Sequence, residues 1–135
     1  MKILEIYNVL FKMASGMESA ANARIATGIF MRNKIISFGF NCKKTHPFQS
    51  RFGKNAECIY LHSEIAAIKN ALKEIDVDDF KKCNIYICRV KKNMPKGYFI
   101  PGLAKPCTGC QRALRTFELK NVYYSQDEKE GFVCL

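Results

Sequence analysis

The chain lacks any long apolar run. Its N-terminal KILEIYNVLF (2–11) is interrupted by Glu5 and Asn8, so it fails as a signal-peptide core or a membrane span. A soluble, intracellular, cytoplasmic protein is expected. Internal repeats, a Ser/Gly linker and a compositional break are also missing, which speaks against a solenoid or a second domain. Residues 1–135 are therefore expected to form a single domain, long enough to bury roughly two-thirds of its unfolded surface. Acidic residues are scarce: 12 Asp and Glu stand against 22 Lys and Arg, for a formal net charge of +10. Such an excess suits a polyanionic partner or an anionic substrate; a solvated lysine surface would produce it equally well. Seven cysteines, an odd number with no secretion signal ahead of them, disfavour a disulfide framework and favour metal binding or buried thiols.

Ile3, Ile6, Tyr7, Leu10 and Phe11 recur at helical steps and predict an N-terminal helix that ends around Ser15-Gly16. ARIATGIFM (23–31) and KIISFGF (34–40) read as strands joined by a tight turn at Arg32-Asn33. After a long polar connection, Ile65, Ile68, Leu72 and Ile75 predict a helix near 62–75. NIYICRV (84–90) is a strand, and a Pro- and Gly-punctuated excursion follows over 91–105 with a short strand at 98–100. Cys110, Ala113, Leu114 and Phe117 mark a second amphipathic helix just after Pro106, and NVYYS (121–125) and FVCL (132–135) are the last strands. This interleaving predicts an α/β layer structure with helices packed on a sheet.

KPCTGC (105–110) places Cys107 and Cys110 one helical turn apart behind a proline. Alone, the pair suits a metal clamp, a redox couple or unrelated thiols. LHSEIAAIKNAL (61–72) supplies His62 and Glu64, also at the start of a helix. Two helix N-termini can bring His62, Cys107 and Cys110 to one point, and the positive helix end favours the thiolate that zinc needs. Three protein ligands leave a fourth tetrahedral position for water, as in a catalytic zinc site. A carboxylate at Glu64 can take and return that water's proton. A redox pair would leave His62 and Glu64 unexplained; a closed zinc site with another cysteine, or a buried histidine among core thiols, stays open on spacing alone.

His62-Ser63-Glu64 and Pro106-Cys107-Thr108-Gly109-Cys110 match the H-x-E and P-C-x-x-C pattern of zinc-dependent base deaminases. With the order helix, hairpin, helix, strand, helix, strand, the sequence resembles the cytidine/deoxycytidylate deaminase superfamily over most of its length. The resemblance implies a cytidine-deaminase-like three-layer α/β/α fold, with a mixed sheet of about five strands and helices on both faces. It also implies Zn2+ on His62, Cys107 and Cys110, Glu64 as catalytic proton carrier, and cytosine converted to uracil or adenine to hypoxanthine. GFN (39–41) looks like the family's Gly-x-Asn, making Asn41 a contact to the substrate's sugar or base. Relatives often assemble, so a homo-oligomer is compatible.

Three departures bear on the substrate. Lys105 stands where free-nucleotide and tRNA deaminases commonly carry Glu; it suits either a phosphate contact or a solvated loop. The stretch 91–105 is longer than usual, enough for a lid or an extra hairpin. The connection between the last two strands is too short for a parallel crossover, so they are expected as an antiparallel hairpin. Tyr123 and Tyr124 alternate faces, and Tyr124 is the candidate for the pocket. The loop 41–55 mixes Lys43, Lys44, Arg51 and Lys54 with Phe48 and Phe52, a combination suited to single-stranded nucleic acid or to aromatics packed on the core. Cys42, His46 and Cys58 form a poor pattern for a second metal, and Cys83, Cys88 and Cys134 are expected as core thiols. The leading expectation is a deaminase of a free nucleoside or nucleotide of dCMP type. A deaminase of single-stranded DNA or RNA, tRNA included, and a non-catalytic zinc-bearing binding module are the alternatives.

Overall fold

The computed structural model describes residues 2–17, 24–41, 62–93 and 97–135. The basic loop and the Cys42, His46 and Cys58 group lie outside them. In chain order the elements are helix α1 (Ile3–Ser15), strands β1 (Arg24–Met31) and β2 (Lys34–Phe40), helix α2 (Ser63–Ala71), a 3-10 turn at Val77–Lys82, strands β3 (Cys83–Asn93) and β4 (Tyr98–Gly102), helix α3 (Thr108–Thr116), and strands β5 (Asn121–Gln126) and β6 (Lys129–Cys134). The sheet runs β2-β1-β3-β5-β6, with β4 paired to β3. It is mixed: β3 and β5 are parallel, and the other pairs are antiparallel. The three-layer expectation holds, with six strands where about five were expected.

Side-chain alternation divides the core between the two faces. Ile6, Tyr7, Leu10 and Ala14 of α1 pack with Ala26, Phe30, Tyr86, Cys88 and Val90. On the other face Ile29, Ile85 and Ile87 pack with Ile65, Ala67 and Ile68 of α2 and with Cys110, Ala113 and Leu114 of α3. Both site-bearing helices thus lie on one face. No helix among the described residues is long and apolar enough to cross a membrane.

The excursion after β3 is an added hairpin, because Lys91, Lys92 and Asn93 pair with Ile100, Phe99 and Tyr98; this carries β3 past the expected Val90. The final β5–β6 pair is the expected antiparallel hairpin. Helix α2 ends at Ala71, short of the expected residue 75, and its chain continues as a turn in which Ile75 N–H reaches Ala71 O at 2.9 Å. One expectation fails: Cys83 and Cys88 are buried, but Cys134 is exposed. It ends β6, which among the described residues lies at the edge of the sheet beside β5.

Candidate active site

Helix α2 is held against β2 by close packing. A Cβ on Gly39 would overlap Ala67 N and Ser63 O, so only glycine permits the contact. Ser37 Oγ donates to Ala67 O at 2.7 Å, and Asn70 Nδ2 donates to Phe38 O at 2.8 Å. These contacts fix the start of α2, where His62 is the N-cap and Glu64 lies in the first turn. Glu64 is only 5% exposed. A buried hydrogen-bond chain holds it: Thr27 Oγ1 donates to Ser63 Oγ at 2.8 Å, and Ser63 Oγ donates to Glu64 Oε1 at 2.8 Å.

The second half of the site is fastened through Ser125. Its hydroxyl donates to Gly102 O at 2.6 Å, and its carbonyl accepts from Ala104 N–H at 3.0 Å. This delivers the chain to Pro106 and to Cys107, the N-cap of α3. Gln111 Nε2 donates to Pro106 O at 2.8 Å.

His62 Nδ1 lies 3.6 Å from Cys107 Sγ and 3.3 Å from Cys110 Sγ, and one ligand atom from each residue falls within 4.8 Å of the others. Hydrogen bonds from Cys110 and then His62 draw the Cys107 thiol down to about 3, while the bond to Cys107 and burial push Cys110 up. His62 is raised, chiefly by its hydrogen bond to Cys107. Glu64 lies close enough to act on the charge of both His62 and Cys110. The donors fit zinc: Zn–N near 2.0 Å and Zn–S near 2.3 Å at a tetrahedral angle put nitrogen and sulfur about 3.5 Å apart. At such a site zinc supplies the acidification of water, to a pKa of about 7.

The remaining expected residues are Asn41, Lys105 and Tyr124. Asn41 follows β2, and its Oδ1 accepts from Ile25 N–H at 2.9 Å, so that oxygen supports the sheet. Lys105 is exposed on the segment before Cys107. Tyr124 is half-buried and packs on the core cluster beneath α2 and α3, whereas Tyr123 stacks on Tyr86 on the α1 side. Sequence reading missed Thr27 and the role of Ser63. The available signals were a hydroxyl within an apolar strand and a second hydroxyl between the histidine and the glutamate.

A three-layer fold with a buried carboxylate beside an imidazole and two thiols at paired helix starts defines the zinc-dependent deaminase class. The pattern of the cytidine and deoxycytidylate deaminase zinc-binding region matches residues 3–126, and the chain belongs to that family. Among solved structures, it is similar to the dCMP deaminase from the cyanophage S-TIM5 in apo form, at 21% identity, covering 92% of this chain and 84% of that one, with a TM-score of 0.57. No curated protein matches the sequence.

Proposed function

We propose that this zinc-dependent deaminase acts on the cytosine of a free nucleoside or nucleotide of dCMP type, giving uracil and ammonia, as a cytoplasmic enzyme of nucleotide metabolism. The observation that carries this reading is the buried Glu64 beside His62, Cys107 and Cys110. With Oε1 occupied by Ser63, the other carboxylate oxygen takes a proton from water and passes it to the ring nitrogen. The same oxygen then carries the second proton to the departing amine. Oxygen adds to the ring carbon as its bond to the amine breaks, so one water is consumed for each ammonia released. His62, Cys107 and Cys110 hold the metal, while Asn41, Lys105 and Tyr124 contact the substrate. Release of ammonia from dCMP, deoxycytidine and a single-stranded oligonucleotide, compared side by side, tests the reading; turnover of the oligonucleotide alone would overturn it.

The charge of +10 favours one alternative, a deaminase of single-stranded nucleic acid. In that case several cations neutralise phosphates at once, and affinity falls steeply with salt. A shallow salt dependence for dCMP, unaffected by the triple variant Lys43→Ala, Lys44→Ala, Arg51→Ala, is expected on the leading reading.

A further inference from the structure

Across the site-facing side of the sheet, one row of paired positions runs Gly39, Thr27, Ile87, Tyr124. It lies under the start of α2, since Gly39 meets Ser63 and Thr27 bonds to it. Two residues further along β3, about 7 Å at strand rise, the next row contains Ile25, Arg89 and Gly102, with Asn41 bonded to Ile25 at its end. Ile85 and Ile87 belong to the α2/α3 cluster, while Cys88 and Val90 belong to the α1 cluster. Alternation therefore turns Arg89 toward the site face. It stands two residues beyond Ile87, the last position at which β3 pairs with parallel β5, on the carboxyl side of that parallel segment, where ligands bind in open α/β sheets.

Arg89 is half-buried, and its Nε is fully buried with no hydrogen-bond partner among the described residues. Its backbone N–H is bonded to Ser125 Oγ at 2.9 Å. Its side chain lies over Gly102, where a Cβ would stand 3.2 Å from Cγ, 3.3 Å from Cδ and 3.5 Å from Nε. The next cation on this face, Lys91, is paired with Asp127 at 2.7 Å. A buried guanidinium nitrogen left unbonded is costly, and a planar donor fork suits phosphate oxygens.

We propose that Arg89, seated on Gly102 between Asn41 and the segment leading to Cys107, binds the phosphate monoester of a free nucleotide substrate. This rests on the reading of the site as a nucleotide deaminase and makes Arg89, more than exposed Lys105, the residue that separates nucleotide from nucleoside.

The test is calorimetric binding of dUMP and deoxyuridine, product forms that are not turned over, to the zinc-loaded protein, with ammonia release from dCMP measured separately. Wild type should prefer dUMP. Arg89→Gln should shrink that preference at least tenfold, with Arg89→Lys restoring part of it. If Arg89→Gln loses zinc or fold, Gly102→Ala, which presses on the Arg89 side chain, is read by the same criterion. No preference in wild type, a preference within twofold of wild type in the variant, or an effect confined to a single-stranded oligonucleotide would overturn the inference. Absence of dCMP turnover with the Arg89-dependent preference intact would remove the proposed function and leave the anion site standing.

Discussion

Ser63 Oγ lies 2.8 Å from Glu64 Oε1, so adjacent residues at the start of one helix are bonded through their side chains. Ser63 is in turn held by Thr27 of the central sheet. The carboxylate is oriented by the sheet as well as by its own helix, with Oε1 held by Ser63.

Ser63→Ala should therefore lower kcat while leaving KM and zinc content near wild type. Hydrogen bonds to charged groups contribute about 1.5–3 kcal/mol, which corresponds to roughly 10- to 150-fold in rate. Thr27→Val should act in the same direction but more weakly. Steady-state kinetics with zinc analysis checks this; a kcat within twofold of wild type in both variants contradicts it.

Gly39→Ala should damage stability and site together. The added methyl meets the backbone of α2 at Ser63 and Ala67, which cannot swing aside as a side chain could. Overpacking of this kind costs about 1–3 kcal/mol or more, corresponding to a fall in Tm of roughly 4–11 °C or more. Thermal unfolding with zinc titration should show both a lower Tm and weaker metal binding, because the displaced helix carries His62.

Metal retention should depend on pH through the raised His62 and Cys110. Cys107, held at about 3, is already a thiolate in the neutral range. Zinc must displace the Cys110 proton throughout that range, and the His62 proton as well once the pH falls below the raised value of the imidazole. Affinity therefore falls with falling pH, by about tenfold per unit and then about a hundredfold per unit. Chelator competition between pH 8 and pH 5.5 measures the slope; a flat profile would show that these residues do not hold the metal.

Much of this site was legible in the sequence. The spacing of His62, Glu64, Cys107 and Cys110, each group opening a helix, predicted that these side chains meet, and the structure brings the imidazole and both thiols within 4.8 Å of one another beside the carboxylate. The strands were legible because β-branched and aromatic residues crowd them, with Ile29, Ile85 and Ile87 buried. The role of Arg89 was not, since which face of β3 looks toward the site depends on how α1, α2 and α3 distribute over the sheet. The 3-10 turn at Val77–Lys82 was missed, although its reciprocal capping pair, Asp76 and Asp79, is visible as two acids three apart. The exposure of Cys134 follows from strand order, which local sequence does not encode.

The most direct measurement is ammonia and dUMP release from dCMP by wild type and Glu64→Gln, each with its zinc content determined. Glu64→Gln should keep the fold and one zinc per chain while turnover drops by about two to four orders of magnitude, the range for a lost proton-transfer group. Near-normal turnover in a zinc-loaded Glu64→Gln variant would contradict the account.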